Sequence, residues 1–431
     1  MDLLEQLRVN MAPGPDFEAD EHDLALPRPL PVRLIAYYLP QFHPIAENDG
    51  WWGKGFTEWT NVTRALPRYR GHYQPRLPGA LGFYDLRLPD TLREQAQLAK
   101  RYGIAGFCIH FYWFAGRRLL EKPLELLLSH REIDLPFCLN WANEPWSRVW
   151  EGTERKLLIE QKHSPEDDIA FATAIEPAVA DPRYIRIDGR PLIMLYRPGL
   201  LPDAAATVDR WRDHFSRRGL GNPYIVMPQR AGNSDRPAFG MDAAAGFPPH
   251  PDGWNLPPRD GLTLLDPDFR GRALSYDALV EKATTSPRQD FTVFPGVCPS
   301  WDNEARRAGR GTGFIGSTPR KYGAWLEHAC RRALEMTNAD ERIVFINAWN
   351  EWAEGAYLEP DRRYGYAYLR ETSRALSRLA HPAGVKNPLT VSLGSECRPA
   401  TPPRAINGLI RAIRRRGANA AEALADALRP D

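Results

Sequence analysis

No apolar run in the 431-residue sequence approaches the roughly 20 residues needed to cross a bilayer, so no membrane-spanning helix is expected. Net charge is scarce as well. Lys and Arg number 56 against 54 Asp and Glu, a formal charge of +2 at pH 7, which excludes a whole-protein electrostatic attraction to nucleic acid. Cysteine is sparse and scattered: Cys108, Cys138, Cys298, Cys330 and Cys397 are odd in number and contain no CxxC pair, so they fit neither a disulfide framework nor a zinc site. Reduced thiols are expected. The N-terminal segment MDLLEQLRVNMAPGPDFEADEHD lacks a basic stretch followed by an apolar core and a small-residue cleavage site, and a cytoplasmic protein is expected. His43, His110 and His250 show no metal-ligand spacing, so neither a catalytic metal nor another cofactor is expected. Gly311, Gly313 and Gly316 match GxGxxG but sit in an Arg-rich loop, not directly after a strand, which argues against a dinucleotide site. A mobile cover is the better reading of that loop, with Arg306, Arg307 and Arg310 available for an anionic substrate.

What is present is order. At 43% hydrophobic and 11% aromatic residues the chain can bury a large core, and many of its 13 Trp stand near the ends of candidate strands, Trp150 among them. Eight short apolar or β-branched runs alternate with segments of helical period: 33–39, 103–112, 135–142, 191–196, 223–229, 243–248, 292–300 and 342–349. Several are nearly continuous in apolar residues, as strands covered on both faces must be. Helices are expected over about 165–180, 203–218, 318–336 and 366–380, with another capped by Asp90 and stopped by Gly103. Eight βα units over about 350 residues predict a (β/α)₈ barrel with long βα loops. An open doubly wound sheet would want a Gly turn after its first strand, where this chain has LPQFHP.

The expected organisation is an N-terminal arm (1–30), the barrel (31–380) and a Pro-rich connector with a basic amphipathic tail (381–431). In that tail Ile406, Leu409, Ile410 and Ile413 oppose Arg404, Arg411 and Arg414 to Arg416. A docked helix or a solvated tail is the plainer expectation, and contact of residues 404–416 with an anionic membrane surface is the sharper one.

A parallel barrel builds its active site at the C-terminal ends of its strands. Polar groups gather there: Gln41 and His43 after the first run, His110 and Tyr112 after the second, Asn140, Asn143 and Glu144 after the third, Trp301, Asp302 and Asn303 after the seventh, and Asn350, Glu351 and Glu354 after the eighth. The sharpest signal is NAWNEWAEG (347–355). Two glutamates three apart converge on a turn, and with Trp349 and Trp352 beside them they offer the paired carboxyls and aromatic faces that cleavage of a sugar linkage needs. The plain alternative is a pair of exposed loop charges. Glu144, in NWANEPW, is a rival proton donor, and Asn143 can orient a hydroxyl or cap the next segment. Tyr38, with His43, Trp52 and Glu58 of the long first loop, completes the set expected to bind an oligosaccharide or polysaccharide.

These residues resemble the WbsX-type proteins, which are similar to glycoside hydrolase family 99, the endo-α-mannosidases and endo-α-mannanases. The resemblance rests on AYYLPQFHP with GWWGKGFTEWTNV, on GFCIHFYWF, FCLNWANEPW, PSWDNEARR and NAWNEWAEG, and spans about residues 33–375. It implies a (β/α)₈ barrel and an association with cell-surface polysaccharide biosynthesis. It also implies retention of configuration through a 1,2-anhydro sugar, with Glu351 as the base on the substrate's 2-hydroxyl and Glu354 as acid/base, Glu144 then serving as a subsite residue. The first loop is that of the WbsX-type group and not of the hydrolases. The expected activity is that of a retaining glycoside hydrolase or transglycosylase on α-linked, mannose-like sugars. A nucleotide-sugar-dependent glycosyltransferase and a non-catalytic carbohydrate-binding protein stand as alternatives.

Overall fold

The computed structural model describes residues 2–24, 26–147, 157–230 and 238–380. Eight parallel staves form the centre: β1 (Arg33–Tyr38), β2 (Ile104–Phe114), β3 (Phe137–Trp141), β4 (Arg190–Leu195), β5 (Tyr224–Pro228), β6 (Ala243–Ala245), β7 in two pieces (Val293–Phe294 and Gly296–Val297) and β8 (Ile343–Ile346). Each pairs with the next in sequence from β1 to β6. The ring closes through β7, whose first piece pairs with β6 and whose second pairs with β8, itself beside β1. Pro295 splits β7 because it has no N–H for the ladder. Its carbonyl still accepts from the Phe345 N–H at 2.9 Å.

The architecture is the expected (β/α)₈ barrel, and every expected run holds a stave. Leu34, Ile35, Ala36 and Tyr37 have no exposed surface, which is why β1 reads as an unbroken apolar string instead of an alternating one. The helical layer starts where the sequence places caps. Ser164, Asp203 and Thr318 accept from backbone N–H groups at the starts of α6 (Pro165–Val179), α7 (Ala204–Arg217) and α9 (Pro319–Leu334). Helix α8 (Tyr276–Thr285) is capped by Ser275, and α10 (Ala367–Ala380) closes the described barrel. Asp90 is not a cap: α4 (Pro89–Arg101) begins on Leu88, with Pro89 in its first turn and Asp90 paired to Arg93. Proline's fixed φ starts that helix without a side-chain acceptor. Gly103, at φ +90°, does follow its end.

Within the N-terminal arm a helix that the sequence reading did not anticipate, α1 (Leu3–Met11), is capped by Asp2. Asn10 on it donates to the carbonyls of His72 and Gln74, both at 2.8 Å. Cys108, Cys138, Cys298 and Cys330 are free and buried. Among the described residues no helix is long and apolar enough to cross a membrane. Cys397, Trp150 and the basic segment 404–416 lie outside the described residues.

Candidate active site

Beyond β8 the chain stays pinned to the barrel mouth. The Trp349 N–H donates to the Tyr37 carbonyl at 2.8 Å, and the Asn350 amide clamps Leu39, accepting from its N–H at 2.7 Å and donating to its carbonyl at 3.0 Å. Asn350–Glu351 then pairs with Ala356–Tyr357 around a 3₁₀ turn, Trp352–Glu354. Gly355 closes the turn at φ +60°, where a Cβ would come within 2.9 Å of the Arg76 guanidinium. The tight turn is what brings two glutamates three apart onto one side.

Both meet a single guanidinium. Arg306 Nη2 donates to Glu351 at 2.9 Å, Nη1 to Glu354 at 2.7 Å and Nε to Glu58 at 3.2 Å. Glu58 comes from α3 (Glu58–Arg64), in the long loop after β1, and Arg306 from the loop after β7. One cation faces three carboxylates. Burial disfavours the charged form of Glu351 most; Arg306 opposes that effect, while Glu354 and Glu58 add to it, and its pKa is pushed up to about 8. Arg306 remains protonated, its pKa raised by the three acids despite burial.

This cluster forms the floor of a cleft of about 1100 Å³ at the C-terminal mouth of the barrel. One wall is the first loop, with Trp52, Phe56 and Arg64; the other carries Tyr112, Glu144 and Trp146, and Tyr196 and Phe247 continue it. Trp146 sits edge-on to Tyr112, with ring centroids 5.1 Å apart. Glu144 is held by Arg197. His110 has its pKa lowered to about 4 by burial, with Arg306 and Arg230 adding to the effect, so it faces the cleft as a neutral ring. Asn140 contacts its Nδ1 at 3.1 Å. Among the described residues no group of His, Cys, Asp or Glu could hold a metal ion.

Of the residues expected to form the site, the structure brings Trp52, Glu58, His110, Tyr112, Glu144, Glu351 and Glu354 to the cleft. The others support it from behind. Tyr38 is 1% exposed and donates to Gln95. His43 is buried, and burial lowers its pKa. Asn143 is spent on the backbone of Arg197, accepting from its N–H at 2.8 Å and donating to its carbonyl at 2.9 Å. Trp301 packs on Trp254 at 4.6 Å, and Trp349 on Phe107 at 5.1 Å. Trp352 stacks on Tyr357 and donates to the buried Glu359 at 2.6 Å. Asp302 binds His72 at 2.7 Å; burial alone would raise its pKa, but His72 and Arg76 overcome that and lower it. Asn350 is the clamp already described. A polar or aromatic residue at a stave end faces the cleft or packs behind it, and these eight pack behind it.

Arg306 has a different place from the one expected. It is locked by three carboxylates at the centre of the cleft floor, not spread on a cover for an anionic substrate. Tyr196 and Phe247 were missed as lining residues, although they stand one and two residues beyond the ends of β4 and β6.

The fold and this mouth define a (β/α)₈-barrel protein with paired carboxyls at the C-terminal end of its last stave. The chain belongs to the WbsX glycosyltransferase family, whose model, described as glycosyltransferase WbsX, matches residues 34–372. It is 49% identical over 357 residues to the protein WxcX of Xanthomonas campestris pv. campestris, a match that covers 82% of this chain and 51% of that one. The chain thus spans about half the length of the curated relatives it matches. A solved glycoside hydrolase-like protein superimposes with a TM-score of 0.50 at 14% identity, over 85% of this chain and 97% of that one, a likeness of fold. The GH99 endo-α-mannosidase from Bacteroides thetaiotaomicron gives a TM-score of 0.48 at 15% identity, over 85% and 100% of the two chains.

Proposed function

We propose that the protein cleaves or transfers α-linked, mannose-like sugars of a bacterial surface polysaccharide or its precursor, with retention of configuration. The observation that carries this is the convergence of Glu351 and Glu354 on Arg306 beneath an aromatic-walled cleft. Glu351 takes the proton of the sugar's 2-hydroxyl and the freed oxygen bonds to C1. The bond from C1 to the leaving oxygen breaks as Glu354 donates its proton, which leaves a 1,2-anhydro sugar. Glu354 then accepts a proton from water or an acceptor hydroxyl, whose oxygen bonds to C1 as the small ring opens and the 2-oxygen recovers its proton from Glu351.

The cycle requires Glu351 as a carboxylate, and with its pKa pushed up to about 8 it must shed a proton before it can act as the base. A carboxyl whose pKa lies near the working pH is also a better match to a hydroxyl proton than an ordinary glutamate. Neutral His110 and Tyr112 line the cleft and serve as hydroxyl partners, and Glu144, on its wall, serves as a subsite residue. The test is turnover of α-linked oligosaccharides by the wild type and by Glu351→Gln and Glu354→Gln. Normal rates in both variants would sink the assignment.

The family's description favours a second reading, a glycosyltransferase in polysaccharide biosynthesis. Titration calorimetry with nucleotide sugars separates the two, since the hydrolytic reading predicts no affinity for the nucleotide. Oligosaccharide binding without turnover, unchanged by loss of both glutamates, would leave a carbohydrate-binding protein.

A further inference from the structure

Among the described residues four acids line the cleft, and each meets a guanidinium. Arg306 holds Glu58, Glu351 and Glu354, while Glu144 is held by Arg197 and has Arg230 at 3.9 Å. Arg64, the last residue of α3, also lines the cleft, and it is exposed. Its Nε donates to the Ala305 carbonyl at 3.4 Å, and among the described residues no acid pairs with its guanidinium. On the same wall Asn48 of α2 (Ala46–Trp52) is 2% exposed, and its Nδ2 has no hydrogen-bond partner. Between them in sequence stand Trp52 and Phe56, ring centroids 5.9 Å apart, an apolar surface on which a sugar ring can lie. The first-loop wall thus offers donors that the protein leaves unmet. A sugar hydroxyl can accept from either one but brings no counter-charge to a guanidinium, whereas a carboxylate or phosphate brings both acceptor oxygens and charge.

We propose that the cleft takes an acidic sugar, with Arg64 binding the anionic substituent, a carboxylate or phosphate, of the unit that lies along the first-loop wall. The assignment rests on the glycan-binding reading of the cleft and adds the charge of the glycan to it. The anion contact expected of Arg306, which three acids occupy, falls instead to Arg64, tied to the same loop at Ala305.

Calorimetry on the full chain tests it in the Glu354→Gln background, which keeps the probes intact. The probes are an α-linked mannan oligosaccharide, the same oligosaccharide with its 6-hydroxymethyl groups oxidised to carboxylates, and its 6-phosphate. At low salt at least one anionic probe should bind at least about fivefold more tightly than the neutral one, the gain expected of one charge-assisted contact at an exposed arginine. The better of the two identifies the substituent. That preference should shrink as ionic strength rises. Arg64→Ala should reduce it to about twofold or less, and Arg64→Lys should retain part of it, since charge persists while the fork geometry is lost. Equal binding of neutral and anionic probes, or a preference that survives Arg64→Ala, overturns the proposal and leaves the glycan cleft standing. Binding of none of the three overturns both.

Discussion

Two cavities share the aromatic wall residue Phe247 and draw their charged groups from different parts of the fold. The cleft at the barrel mouth holds Glu58, Glu144, Glu351 and Glu354 against Arg64 and Arg306, whereas the lateral cavity, beside β6 and β7, takes Lys282, His328 and Arg332 from the two helices α8 and α9. The difference follows from where the charges stand. In the cleft they ride on loops leaving β1, β3, β7 and β8, which the barrel forces together, so opposite charges meet at hydrogen-bond distance and are desolvated as a group. In the lateral cavity Lys282 and Arg332 stand on two helices whose outer sides reach water. An arginine therefore does two different jobs in one fold: Arg306 is a structural hub, and Arg332 is a cation facing a cavity.

The strongest way to break that comparison is to remove the hub. Arg306→Met leaves three acids without their cation, and loss of one partner from a buried ionic cluster costs about 3–5 kcal/mol of stability, measurable by denaturant unfolding. A cost under about 1 kcal/mol would mean that the cleft is as loosely held as the lateral cavity. Glu351→Gln and Glu354→Gln should instead preserve the fold and lower turnover by about 10²–10⁴-fold each, the range for a positioned acid or base.

Acidity sharpens the contrast further. Two buried carboxyls sit near the Trp352–Glu354 turn: Glu351, pushed up to about 8 and facing the cleft, and Glu359, pushed up to about 7 by burial although it accepts from Gln95, Tyr84 and Trp352. In each case the folded pKa exceeds the ordinary glutamate value of about 4.3. The folded state then holds more protons than the unfolded one, so the stability these groups contribute is complete below about 4.3 and declines as pH rises through 7 and 8. Wild type should lose stability up to about pH 8, and Glu351→Gln only up to about pH 7, as pH-dependent unfolding would show. Identical curves would mean that Glu351 is no more buried than a surface acid. Turnover should rise as pH approaches about 8, where Glu351 becomes the carboxylate that its role as base requires.

Much of this was legible in the residues. The staves could be read because both faces are covered, which makes each a compact apolar run, and the helices because Ser164, Asp203 and Thr318 announce their starts. Glu351 and Glu354 were legible because their spacing has one meaning on a turn. What could not be read was direction. Asn350, Trp352 and Asp302 sit at stave ends like true lining residues, yet their side chains are taken by Leu39, Glu359 and His72, partners hundreds of residues away in two of the three cases. Arg306 was misplaced for the same reason, since Glu58 is 248 positions distant. Helix α1 was missed because its support, the carbonyls of His72 and Gln74, lies outside its own sequence.

Tyr38→Phe probes the edge of the cleft. Tyr38 was expected at the substrate, but its hydroxyl is spent on Gln95 at 2.8 Å. Loss of that hydrogen bond should cost about 0.5–1.5 kcal/mol of stability and leave KM unchanged. A raised KM with unaltered stability would return Tyr38 to the cleft and blur its boundary.

The smallest effect is expected from the other arginine. Arg332→Ala removes a cation near the C-terminal end of α9, where it interacts favourably with the helix dipole, a contribution of about 0.3–1 kcal/mol. Alanine's higher helix propensity returns part of that. The net change in unfolding free energy should therefore stay within about 0.5 kcal/mol, the usual range for a substitution outside a packed network. Turnover should be unchanged, since Arg332 is absent from the cleft lining. A loss approaching that of Arg306→Met would show that Arg332 is locked into the fold, and the distinction between a charge that holds the structure and one that faces a cavity would disappear.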